Sequence, residues 1–134
     1  MIEDNPSDIE LTRRAFRKNG LADKLVVAES GQEALGYLSD TTQPLPAVVL
    51  LDLKLPGVGG LEVLRRIRAG QRTHLLPVVV LTTSKEQQDM VESYRLGANS
   101  YIRKPVSFGQ FCEAVAQLGA YWLILNEPAP TEIK

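Results

Sequence analysis

Asp52 follows the apolar run Ala47 to Leu51, Thr82 follows Val78 to Leu81, and Lys104 follows Tyr101 to Arg103. Glu3 and Asp4 stand where an opening strand gives way to a helix. Three carboxylates brought to one place repel one another, and a divalent hard cation relieves that repulsion. Mg²⁺ suits such a set, because it takes one or two carboxylates together with waters and a phosphate oxygen. A carboxylate beside that metal is a competent nucleophile toward phosphorus and yields an aspartyl phosphate. Thr82 then supplies a hydroxyl donor to a phosphoryl oxygen, and Lys104 a mobile positive charge.

Each residue also has an ordinary structural explanation. An acidic pair before a helix complements the helix dipole. Asp52 suits a strand-end turn, Thr82 a strand, and Lys104 a solvated surface. Their common position decides between the readings, since in an open α/β sheet ligands bind beyond the carboxyl ends of the strands.

The elements that would carry them are readable. Leu25 to Ala28, Ala47 to Leu53, Val78 to Leu81 and Ser100 to Arg103 read as strands, and the middle two are apolar on both faces, as in buried parallel strands. Helix starts are marked by Asn5 before Pro6 and by Ser30 with Glu33, Ser84 with Gln87 and Ser107 with Gln110. Apolar spacing adds helical faces at Leu61, Leu64 and Ile67, at Met90, Val91 and Tyr94, and at Phe108, Phe111, Cys112, Val115 and Leu118. Strand and helix alternating through short connections predict a doubly wound α/β fold, a parallel sheet with helices on both faces.

The 134 residues fit one domain, and a fused DNA-binding or catalytic module is not expected. With 44% hydrophobic and 23% charged residues the chain is expected to bury one core. A net charge of −1 gives no electrostatic footprint for nucleic acid or an anionic membrane. Cys112 is the only cysteine, which excludes an intrachain disulfide and fits a reducing cytoplasm. His74 is the only histidine, so no site needs two imidazoles, and it reads as a loop residue without a role. No leader or membrane-spanning run is read, and Asn126 to Lys134 reads as a flexible tail after a domain of residues 1–125.

These residues resemble the receiver domain of two-component response regulators, of the chemotaxis-receiver or flavodoxin-like class. The resemblance rests on Glu3-Asp4-Asn5-Pro6, on Leu50 to Pro56 around Asp52 with Gly60, on Leu81-Thr82-Thr83-Ser84, and on Gly97-Ala98 leading to Tyr101 and Lys104-Pro105. It implies a five-stranded sheet of order 2-1-3-4-5 and phosphoryl transfer to Asp52 from a phosphohistidine of a sensor histidine kinase. It further implies Mg²⁺ held by Asp4, Asp52 and the backbone carbonyl of Lys54, with Glu3 holding a metal-bound water. Lys104 would pair with the phosphoryl group, Thr82 would move toward it, and Tyr101 would swing inward. The signal would leave from the face of the fourth helix, fifth strand and fifth helix, and the Lys104-Pro105 bond would be cis. The opening Glu3 to Asp8 and the ending Tyr121 to Pro128 are similar to single-domain regulators paired with bacterial phytochrome kinases, which makes such a kinase the expected partner.

Three features depart from that pattern. Only Met1 and Ile2 precede the acidic pair, where a central strand needs more residues, so a full-length product about ten residues longer is expected. Tyr121 to Leu125 is apolar on all sides, and Tyr121, Trp122, Ile124 and Leu125 are the expected interface of a symmetric homodimer. Lys54 and Ser84, two residues past Asp52 and Thr82, are poorly suited to orient an attacking water, so slow self-dephosphorylation is expected. Two alternatives remain: a scaffold that is not phosphorylated, and a Mg²⁺-dependent phosphohydrolase working through an aspartyl phosphate. Haloacid-dehalogenase-like enzymes of the latter kind carry an aspartate general acid where this chain has Lys54. No P-loop sequence exists.

Overall fold

The computed structural model describes residues 1–104 and 107–130. Its sheet has three parallel strands, β1 (Val49–Leu51), β2 (Val78–Thr82) and β3 (Ser100–Arg103), in that spatial order. Val49 is registered on Val78, and Val80 on Tyr101. All residues of β1 and β2 are buried, because helices cover both faces. The helices are α1 (Pro6–Lys18), α2 (Gly31–Ser39), α3 (Gly60–Ala69), α4 (Gln87–Arg95) and α5 (Phe108–Gly119).

Alternation along the strands builds two cores. Val49, Leu51, Val78 and Val80 join Ala34, Leu38, Val63, Leu64 and Ile67 of α2 and α3. Leu81 faces the other way, onto Ala15 of α1 and Phe111, Cys112 and Val115 of α5. Asn5 caps α1 by accepting from the Ser7 and Asp8 amides, and Ser30 and Ser107 accept from Glu33 and Gln110. Ser84 does not cap α4 as expected. Glu86 is the cap residue, and the Ser84 hydroxyl donates to Asp89 at 2.6 Å. The expected apolar face of α4 is also corrected: Val91 and Tyr94 are exposed, and the buried position is Ser93, whose hydroxyl donates to the Asp89 carbonyl.

The five-stranded sheet is reached only in outline. Ile2 forms single parallel bridges to Ala28 and to Leu51, so Ala28, Ile2, β1, β2 and β3 lie side by side in the order 2-1-3-4-5. The expected strand Leu25 to Ala28 is therefore reduced to one bridge. Its ladder consists of the Glu3 amide on the Ala28 carbonyl and the Ala28 amide on the Met1 carbonyl, and beyond these only the Met1 α-amino group reaches Val26, at 2.9 Å.

A cavity of about 360 Å³ lies where that ladder stops, between Lys24 to Ala28 and Pro46 to Leu50. Val26, apolar and β-branched, is 56% exposed beside it. The Leu50 carbonyl accepts from the Ile2 amide, so the Leu50 N–H faces the same side. Among the described residues no acceptor meets that N–H, although Leu50 is buried. Burial also pushes the Met1 α-amino group down to about 6. Five alternating apolar residues fused ahead of Met1 are expected to fill the cavity and pair Leu50, stabilising the domain by at least about 1 kcal/mol. Urea denaturation of the two chains checks this, and equal midpoints and slopes would contradict it.

Candidate functional site

The carboxyl ends of the strands converge as the sequence predicts. Asp52 lies one residue past β1 and is 7% exposed, with its amide tied to the Ile2 carbonyl. The chain turns sharply after it, the Lys54 amide donating to Asp52 Oδ1 at 3.0 Å. α3 starts so close to this turn that a Cβ on Gly60 would lie 2.4 Å from the Asp52 carbonyl oxygen, so only glycine fits. Thr82 ends β2 fully buried, and its hydroxyl donates to Asp52 Oδ1 at 3.0 Å. Lys104 follows β3, its amide held by the Thr82 carbonyl.

The Lys104 ammonium has three acceptors: Glu3 Oε1, Asp8 Oδ2 at 2.8 Å and Asp52 Oδ2 at 3.1 Å. Glu3, Asp8 and Asp52 each present an oxygen within 4.8 Å of the others. Asp4, expected as a metal ligand, is half-buried and is not one of this trio, whose third member is Asp8. Asp8 was not singled out in the sequence because it reads as an ordinary acidic residue in the first turn of a helix. Its available signal is the spacing from Asn5, whose cap fixes the Asp8 amide.

Electrostatics separates the carboxyls. Burial pushes Glu3 up to about 7, against the opposing pull of Lys104. Burial also opposes charge on Asp52, but the Lys54 amide, Glu3 and Lys104 outweigh it and hold Asp52 below the usual carboxylate range. Burial opposes charge on Lys104 too, yet Asp8, Glu3 and Asp52 raise it above its ordinary value. Asp52 is thus the carboxyl of the cluster that favours its charged form, and Glu3 the one that holds a proton most readily. Three hard oxygen donors against one ammonium fit a divalent cation.

Tyr101 is half-buried, and its hydroxyl donates to the Ser84 carbonyl at 3.3 Å, tying β3 to the loop after Thr82. The expected cis bond before Pro105 lies outside the described residues. At the far end of the molecule α5 continues into a π-helical turn, Ala120–Leu125. Tyr121, Ile124 and Leu125 are exposed there, while Trp122 is half-buried edge-on to Tyr121, with ring centroids 4.8 Å apart. Of the expected tail, residues 131–134 lie outside the described residues, and among the described residues no helix is long and apolar enough to cross a membrane.

The model of the response regulator receiver domain matches residues 1–116. The chain is 40% identical over 134 residues to the probable methanogenesis regulatory protein FilR2 of Methanothrix harundinacea, covering 97% of this chain and 86% of that one. Its structure is similar to that of the phosphorylated cyanobacterial phytochrome response regulator RcpA, with TM-score 0.87, 33% identity and coverage of 96% and 95%. It is also similar to the bacteriophytochrome response regulator AtBRR, with TM-score 0.71, 50% identity and 94% of each chain covered. The Mn²⁺-bound form of response regulator Rcp1 aligns with TM-score 0.82, 27% identity and 96% of each chain.

Because Glu3 is raised in the folded state, its contribution to stability is full below its unfolded value near 4.5 and is lost as pH rises through about 7. In metal-free buffer the stability of wild type relative to Glu3→Gln is expected to fall by on the order of 2 kcal/mol between pH 5 and pH 8. Urea denaturation of both proteins at the two pH values checks this. A constant difference would contradict it.

Proposed function

The chain belongs to the response regulator receiver domain family, and from this we propose that it accepts a phosphoryl group on Asp52 from a sensor histidine kinase of the bacterial phytochrome type. The observation that carries the proposal is Asp52, buried at the sheet's carboxyl end and contacted by both the Thr82 hydroxyl and the Lys104 ammonium. The phytochrome kinase is supported by the likeness to RcpA and AtBRR.

In the reaction an Asp52 carboxylate oxygen forms a bond to phosphorus as the phosphorus–nitrogen bond to the kinase histidine breaks, and that electron pair returns to the imidazole. Lys104 balances charge on the transferring group, and Thr82 turns its donor from Asp52 Oδ1 to a phosphoryl oxygen. Mg²⁺ would be held by Asp52, by Asp4, by the Lys54 backbone carbonyl and, through water, by Glu3, and would neutralise phosphoryl charge. The Mn²⁺ in Rcp1 and the hard oxygen cluster support a divalent cation here. Tyr101 reports the change, since its hydroxyl is anchored on the loop that Thr82 leads into. The acyl phosphate is long-lived, because neither Lys54 nor Ser84 orients water well, and the Ser84 hydroxyl is engaged by Asp89. The active form works in the cytoplasm as a homodimer joined through Tyr121, Trp122, Ile124 and Leu125, three of them exposed.

Incubation with acetyl phosphate and Mg²⁺, read by intact mass, is expected to add one phosphoryl group to wild type and none to Asp52→Asn. Uptake by Asp52→Asn at the wild-type level, or no uptake by either, would overturn the assignment. Sedimentation of the same samples is expected to give a dimer for wild type and a monomer for Trp122→Glu, and a wild-type monomer at micromolar concentration would remove the dimer.

A further inference from the structure

Asp8 is the third residue of α1, and its backbone is fixed before its side chain is considered. Pro6 occupies the first helical position, and the Asn5 side chain accepts from the Ser7 amide at 2.9 Å and the Asp8 amide at 3.2 Å. This cap aims the Asp8 carboxylate across the chain at Lys104, 96 residues away in sequence. The ammonium has three N–H donors, and Glu3, Asp8 and Asp52 take one each. The three differ in place. Glu3 and Asp52 are buried beneath the ammonium, whereas the Asp8 side chain is 30% exposed and stands on the solvent side.

Without Asp8, the other two carboxylates would draw Lys104 inward. The ammonium would pair more tightly with Asp52, the oxygen that must attack phosphorus, and lie farther from the incoming group. With Asp8, Lys104 is held between floor and rim, and a phosphoryl group on Asp52 replaces only one of its three partners. We propose that Asp8 is a positioning residue of the phosphoryl site: it anchors the Lys104 ammonium at the rim and makes the first turn of α1 part of the phosphorylation machinery. The proposal rests on Asp52 being the phosphoacceptor.

A bystander charge and an anchor give opposite signs on substitution. Asp8→Asn keeps the shape and removes the charge, which for a bystander would speed uptake from anionic acetyl phosphate. For an anchor it slows uptake, by about tenfold at saturating Mg²⁺. The Lys104 ammonium resonance in ¹⁵N spectra is expected to be protected from solvent exchange in wild type and to broaden in Asp8→Asn. Asp8→Glu, which restores the charge, is expected to recover part of both, and Asp8→Ser serves as a second neutral variant should Asp8→Asn fail to fold. Unchanged or faster uptake with an unchanged Lys104 signal overturns the proposal. If wild type itself takes up no phosphoryl group, the phosphoacceptor assignment fails instead.

Discussion

One ammonium shared by three carboxylates is the constraint on which the site depends. Glu3 arrives beside the Ile2 bridge, Asp8 from the first turn of α1, Asp52 from β1 and Lys104 from the end of β3, so four separated segments meet in one charge network. Burying such a network costs desolvation of every member, and it is tolerable only while each charge keeps its partners. Lys104 balances one negative charge and leaves the cluster in excess. That excess is the charge a divalent cation would balance.

The parts of the fold that local chemistry dictates were legible in the sequence. β2 and α3 follow from a run apolar on both faces and from an amphipathic stripe, and the strand-end rule then located Asp52, Thr82 and Lys104. α4 is present as the sequence predicts, but its buried face differs, because Met90, Val91 and Tyr94 only resemble a buried stripe. Ser93 and the Ser84–Asp89 bond hold that helix instead, and both are contacts between polar residues that periodicity does not weigh. Asp8 is hidden for a related reason: the Asn5 cap fixes its amide, but that spacing alone does not tell a solvated acidic residue from one aimed at a lysine 96 residues away.

The strand Leu25 to Ala28 was legible as sequence yet is nearly absent as structure. Strand character is conferred by a partner's backbone, and here Met1 to Glu3 provide only a few rungs. The cavity lies where those rungs stop, while Ile2 still delivers Glu3 to Lys104. Site and sheet are therefore coupled through very few residues. The apolar turn at the end of α5 reaches that cavity through Leu123, so an interface there would bear on the short sheet edge and not on the charge network.

If the shared ammonium is what makes the acidic cluster tolerable, removing it must leave carboxylates that only another cation can satisfy. Urea denaturation of Lys104→Met at neutral pH, with and without saturating Mg²⁺, tests this most directly. Without metal the variant is expected to lose about 3 kcal/mol relative to wild type, and Mg²⁺ is expected to restore most of that loss. A variant as stable as wild type in metal-free buffer, or equally destabilised whether or not Mg²⁺ is present, would contradict the account.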